Sequence, residues 1–179
     1  MICEIRAATP ADLPALFAYL GEQLMENGSG GSPLFQPVPR TADPVVPLPI
    51  RSRFTNGLAT PVGEAGWRRA WLAIAGDGAI AGHIDLRARP EQGCAHRTML
   101  GMAVQRDYRR LGLGLRLIDT AAAWAREAGF AWIDLEVLSG NTPAIALYHR
   151  AQFGVAGEIV DMYRIDGESH ASTLMTRAL

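Results

Sequence analysis

The chain has 179 residues, a net charge of −1 and 49% apolar residues. That is an ordinary globular composition for one domain over 1–179, and it argues against nucleic-acid binding by bulk positive charge. Cys3 and Cys94 are the only cysteines and make no disulfide framework. Glu4 and Arg6 interrupt any secretory signal, and no run approaches the ~20 apolar residues that span a bilayer. The expectation is a cytoplasmic protein with no nucleic-acid or membrane partner.

Residues 2–7 read as a first strand. Thr9-Pro10-Ala11-Asp12 then gives a cap, a first-position proline and the acid of a capping box. Leu13, Leu16, Phe17, Leu20 and Leu24 follow at helical spacing. Residues 26–66 change character, with seven of the eleven prolines (Pro33, Pro37, Pro39, Pro44, Pro47, Pro49 and Pro61) and Gly28, Gly30 and Gly31. The prolines forbid a regular helix across 33–49, and Arg51–Phe54 is the candidate for a short helix within the stretch. A loop of this length is either a mobile surface segment or a lid over a substrate site.

Residues 67–75 and 79–88 read as a hairpin turned by Gly76-Asp77-Gly78. In its second strand Ile80, Gly82, Ile84 and Leu86 share one face, His83 and Asp85 the other. A loop at 89–96 leads to a strand at 97–104. A helix over 113–128 repeats Leu113, Leu117, Ala121, Ala125 and Ala128, with Gly129 as terminator. Strand 131–138 alternates Ile133, Leu135 and Val137 with Trp132, Asp134 and Glu136. Thr142-Pro143 opens another helix to about Ala151, and strands at 157–165 and 170–178 close the chain. The predicted fold is mixed α/β (α+β): a mostly antiparallel central sheet of about six to seven strands flanked by helices.

Between strand 97–104 and the helix lies Arg109-Arg110-Leu111-Gly112-Leu113-Gly114. A helix N-terminus leaves its first N–H groups unpaired and partially positive, a ready seat for a pyrophosphate. Gly112 and Gly114 are expected to clear space for it, and Arg109 and Arg110 to flank it with charge, in a cluster that also holds Arg106 and Arg116. Other phosphate loops fit less well. A Walker loop needs Lys-Ser or Lys-Thr where Leu115-Arg116 stands, and a dinucleotide fingerprint needs glycine at Leu117. No Gly-x-Ser-x-Gly is present, and His83, Cys94, His96, His149 and His170 show no metal-ligand spacing.

Leu100–Val104, Arg109-x-x-Gly112-x-Gly114 and Asn141-Thr-Pro-Ala144-Ile-Ala-Leu147-Tyr148 together resemble the GNAT superfamily of acetyl-CoA-dependent N-acetyltransferases. The resemblance covers about 67–165 and extends to the first helix. One position departs: family members carry Gly-Phe shortly after the tyrosine, where this chain has Gln152-Phe153. The resemblance implies a GNAT-like acyltransferase fold, acetyl-CoA as co-substrate and no metal. It also implies that the cofactor is held by backbone at Met102, Ala103 and Val104, by the turn from Arg109 and Arg110 through Leu111, Gly112, Leu113 and Gly114 to Leu115, and by Asn141, Ala144 and Tyr148. In the family the strand before the turn splays from its neighbour, freeing backbone groups for the acyl carbonyl and the pantetheine.

Acyl transfer to an amine needs a neutral amine, donors at the carbonyl oxygen and a proton for the departing thiolate. Tyr148 is the expected general acid, its ordinary pKa of ~10 lying close to a thiol's ~8.5. Glu136 is the first choice for the base, followed by Asp85 and His83 and then His96, acting directly or through water; a free amine entering from solvent needs none. The acceptor is a small-molecule amine or a peptide N-terminus, and Arg51, Arg53, Arg68 and Arg69 favour one bearing a carboxylate. A homodimer through 157–178 is expected from the resemblance. The competing reading is a non-catalytic acyl-CoA-binding sensor or assembly module.

Overall fold

The computed structural model describes residues 3–41 and 43–179. Ile2 of the expected first strand and Ala42 of the long loop lie outside the described residues. The strands are β1 (Glu4–Ala7), β2 (Arg68–Ile74), β3 (Ile80–Ala88), β4 (Arg97–Val104), β5 (Trp132–Leu138), β6 (Gly154–Ile165) and β7 (Glu168–Ala178). The helices are α1 (Leu13–Glu26), α2 (Leu48–Ala59), α3 (Leu113–Glu127) and α4 (Thr142–Arg150). The strands form one sheet in the order β1-β2-β3-β4-β5-β7-β6. Every described pairing is antiparallel except β4 with β5. This is the mixed, mostly antiparallel sheet that the sequence predicts.

The hydrophobic alternation divides the sheet into two faces. Ile84, Leu86, Leu100, Ile133, Leu135 and Met175 share the larger core with Leu117, Ile118, Ala121 and Ala125 of α3 and Tyr148 of α4. Leu72 lies on the other face with Leu16 and Tyr19 of α1 and Phe54 of α2. A Cβ on Gly82 would stand 3.2 Å from Leu117 Cδ1, so a glycine there brings α3 close to β3. The entry to α1 follows the expected chemistry: Asp12 accepts hydrogen bonds from Thr9 N (2.7 Å) and Thr9 Oγ1 (2.8 Å) and pairs with Arg6.

Two expectations are corrected. The short helix predicted at 51–54 is a twelve-residue helix starting at Leu48. Pro47 and Pro49 do not prevent it, because they stand at its N-terminal end, where no backbone N–H is required. The strand expected at 157–165 begins at Gly154, and the one expected at 170 begins at Glu168. Register shifts between Val155 and Gly157 and between Ile159 and Tyr163 break the alternation that marks a strand in sequence.

Gln152, where the family resemblance calls for glycine, has φ +66° just past the C-terminal end of α4. A side chain in this left-handed conformation is strained by roughly 1–2 kcal/mol relative to glycine. Gln152→Gly is therefore expected to raise the unfolding free energy by about 1 kcal/mol, measured by urea denaturation; an unchanged or lowered midpoint would contradict the strain.

Candidate active site

The central feature is an opening in the sheet. β4 and β5 pair only at Arg97–Trp132, Thr98–Ile133 and Met99–Asp134. Beyond that point β4 stays with β3 as far as Val104–Gly82, while β5 stays with β7 as far as Leu138–Ser172. Gln105 N donates to Ala81 O (2.9 Å), which fixes the phase of the β3–β4 ladder. By the antiparallel alternation, Ala103 and Gly101 exchange hydrogen bonds with β3, and the backbone groups of Leu100, Met102 and Val104 point into the opening. Ala103 is thus set apart from its neighbours. Its carbonyl accepts from Tyr19 Oη (2.8 Å), and its backbone is turned away from the opening. Of Met102, Ala103 and Val104, only Met102 and Val104 thus turn their backbone groups into the opening.

The turn after β4 ends at the first residues of α3. Arg110 has φ +61° and Gly112 φ +82°. No amide from Arg110 through Leu115 donates to a partner among the described residues, and Arg116 N is the first to reach an intrahelical carbonyl (Gly112 O, 3.2 Å). Donors left unpaired at a helix N-terminus favour an anion nearby. The two glycines stand in different surroundings. Gly112 supplies the left-handed turn, whereas a Cβ on Gly114 would lie 2.8 Å from Leu147 Cδ2, so Gly114 makes room for α4. Arg110 is exposed at the turn. Arg109 does not flank it with free charge: its Nε donates to Val104 O (2.8 Å), its Nη2 to Glu26 (2.7 Å), and its own amide to Arg106 O (3.2 Å).

On α4, Asn141 is the N-cap, and its Oδ1 accepts from Ala144 N at 3.4 Å. The Ala144 amide is therefore used within the cap, while Asn141 Nδ2 has no partner among the described residues. Tyr148 is buried with its ring edge-on to Phe153 at 5.9 Å, and burial pushes its phenol up to about 12. The phenol thus stays protonated through neutral pH.

The base candidates separate by environment. Asp85 is buried and held by Arg68 at 2.6 Å, with that guanidinium lying over the Phe54 ring at 4.1 Å. Asp134 is spent on Arg97, Arg89 and Thr176. His83 is buried beneath Tyr19 and Phe54, with Nδ1 unpartnered and Nε2 3.9 Å from Asp85. His96 precedes β4, at the end of the strand away from the opening. Glu136 is exposed, makes no ion pair among the described residues, and lines a cleft of about 270 Å³ with Arg87, Arg89, Glu91 and Met99. Of the arginines expected to greet a carboxylate, Arg68 is committed to Asp85. Arg69 donates to carbonyls that include Thr60 O (3.1 Å), and Arg51 lies over Phe17. Arg53 is exposed. Arg87 was not anticipated, although a glycine in mid-strand at Gly101 is a signal of close approach.

The long loop is fixed on the same side. Asn27, 1% exposed, donates through Nδ2 to Gln36 O and Val38 O and accepts at Oδ1 from the amides of Phe35 and Gln36. Arg106 donates to Ser29 O and Gly30 O, tying the loop to the phosphate turn. Arg40 pairs with Asp166 between β6 and β7 at 2.9 Å.

Burial lowers the His83 pKa from 6.5 to about 4, with Asp85 opposing the shift and Arg68 adding to it. The unfolded chain therefore takes up this proton first as pH falls. The contribution is present above 6.5 and is lost on descending to about 4. It amounts to about 3 kcal/mol. Urea unfolding across that window should show this loss, and His83→Gln should flatten the slope; an unchanged slope in the variant would exclude His83 as its source.

The family model described as acetyltransferase (GNAT) family matches residues 49–154. The catalytic subunit of the N-terminal acetyltransferase A complex of Schizosaccharomyces pombe is 32% identical over 103 residues, 55% of this chain and 58% of that protein. A mycothiol acetyltransferase of Clavibacter sepedonicus is 38% identical over 108 residues, 59% of this chain and 34% of that protein. These matches thus span little more than half of the first relative's length and about a third of the second's. An acetyltransferase of the GNAT family from Streptococcus pneumoniae shares the fold with a TM-score of 0.80 at 24% identity, covering 99% of both chains. The chain therefore belongs to the acetyltransferase (GNAT) family, a family of acyltransferases.

Proposed function

We propose that the protein transfers an acetyl group from acetyl-CoA to the primary amine of a small molecule or a peptide N-terminus. The observation that carries this reading is the run of six unpartnered amides from Arg110 to Leu115, placed directly after the strand that opens from its neighbour. These donors, with Arg110, fit the pyrophosphate of the cofactor that the family uses. When bound, acetyl-CoA supplies an activated thioester.

The chain's own groups then have distinct tasks. Asn141 Nδ2 is free to hold the pantetheine amides. The Met102 amide donates to the acyl carbonyl oxygen, and a fixed donor in a dry site favours charge developing there. Val104 N–H lines the path between opening and turn. Glu136 takes the proton that must leave an ammonium before it can attack. Tyr148, kept protonated by burial, delivers a proton to the departing sulfur. The loop at 27–40, tied to the phosphate turn and to the β6–β7 turn, serves as the ordered cover of the acceptor side. Exposed Ile159, Val160 and Met162 on the edge strand β6 support pairing of two copies.

Coenzyme A release, followed with a thiol reagent across an amine panel, tests the reading. Tyr148→Phe should lower kcat by about 10²-fold. Glu136→Gln should lower the rate by a similar factor near neutral pH, with recovery as rising pH deprotonates the amine in solution. A full-rate Tyr148→Phe would remove that residue from the mechanism, and cofactor binding without turnover on any amine would favour a non-catalytic sensor.

A further inference from the structure

Arg87 and Glu136 line the same cleft from two different strands. The β4–β5 register runs Arg97–Trp132 to Met99–Asp134, so Gly101 stands level with Glu136 where the pairing has stopped. On the other side Gly101 pairs with Asp85, and Arg87 pairs with Met99. Alternation places Arg87, Met99, Gly101, Asp134 and Glu136 on one face of the sheet. Gly101 makes room for the neighbouring side chains: a Cβ there would lie 2.8 Å from Asp85 Oδ2 and 2.9 Å from Arg87 Nη1. The Arg87 guanidinium therefore lies over Gly101 on β4, beside Asp85.

The charges around the cleft do not cancel locally. Arg89 is engaged by Glu91 and Asp134. Asp85 Oδ1 is held by Arg68 at 2.6 Å, and Arg87 reaches the same oxygen only at 3.4 Å. Two guanidiniums share one carboxylate, which leaves a surplus positive charge at Arg87. Glu136 supplies a negative charge with no ion pair among the described residues, and none joins it to Arg87. The cleft, about 270 Å³, falls below the ~300–1,000 Å³ of sites for drug-sized ligands.

We propose that this cleft takes a small zwitterion, an amine that carries a carboxylate in the same molecule, with the amine toward Glu136 and the carboxylate on Arg87. The proposal rests on the acyl-transfer reading and names its acceptor class: free amino acids rather than neutral amines or peptides. Arg87 is the specificity-determining residue, and Gly101 is required because a Cβ there would displace the Arg87 guanidinium. A guanidinium–carboxylate bond in a partly desolvated cleft discriminates strongly against a neutral analogue.

The test measures coenzyme A release with the standard L-amino acids, each matched with its α-amide and its decarboxylated amine, and with dipeptides. The wild-type protein should favour the free amino acid by at least about 10-fold in kcat/KM. Arg87→Gln should abolish that preference by raising the acceptor KM, with the KM for acetyl-CoA and the rate on decarboxylated amines unchanged; Arg87→Lys should restore part of it. Calorimetric titration of amino acids and their amides into the coenzyme A-saturated protein should give the same order. Amides or dipeptides that serve as well as free amino acids would overturn the proposal, as would a carboxylate preference that survives in Arg87→Gln. Absence of turnover with every amine would instead strike the acyl-transfer reading, and the calorimetric comparison would still decide the cleft.

Discussion

The structure depends on where β4 and β5 part. Asp134 occupies the last paired position, opposite Met99, and accepts hydrogen bonds from Arg97, Arg89 and Thr176. This buried carboxylate ties β3's outgoing loop, β4 and β7 to β5 at one level. Above it nothing joins β4 to β5. Unpaired backbone in a sheet interior is costly unless a partner supplies the missing bonds. An opening maintained at this cost, with the amides of Met102 and Val104 turned into it, is where a ligand with its own polar backbone is to be expected.

The arginine-rich turn divides its labour accordingly. Arg109, which in sequence looks like a phosphate contact, joins the end of β4 to Glu26 of α1, while Arg106 holds the loop that follows α1. The unpartnered donors at the start of α3 are backbone amides, with Arg110 exposed beside them. Backbone donors are positioned by the fold itself and lose little freedom on binding, which suits a seat for the invariant part of a cofactor.

That division explains what the sequence made legible. The strand, turn and helix from 97 to 127 follow local rules of periodicity and stand close to where those rules put them, while the cap of α4 falls at Asn141, one residue before the expected Thr142. The opening itself was read only through the family resemblance, because splaying is a matter of which strands stay paired. α2 was hidden by prolines that sit harmlessly at its start, and β6 by register shifts that scramble its alternation. The roles of the charged residues were least visible. Asp85, Arg68 and Asp134 carry the same charges as Glu136 and Arg87, and only tertiary contacts separate the tightly paired from the loosely paired or exposed.

The central claim is that the opening of β4 and the start of α3 form one continuous binding surface for coenzyme A. It is tested most directly by titrating coenzyme A into 15N-labelled protein and following the backbone amides by NMR. The account predicts saturable shifts concentrated at Arg110 through Leu115, at Met102 and Val104, and at the Asn141 side chain, with Ala103 little affected. Shifts confined to other surfaces, or no saturable change at any concentration, would contradict it.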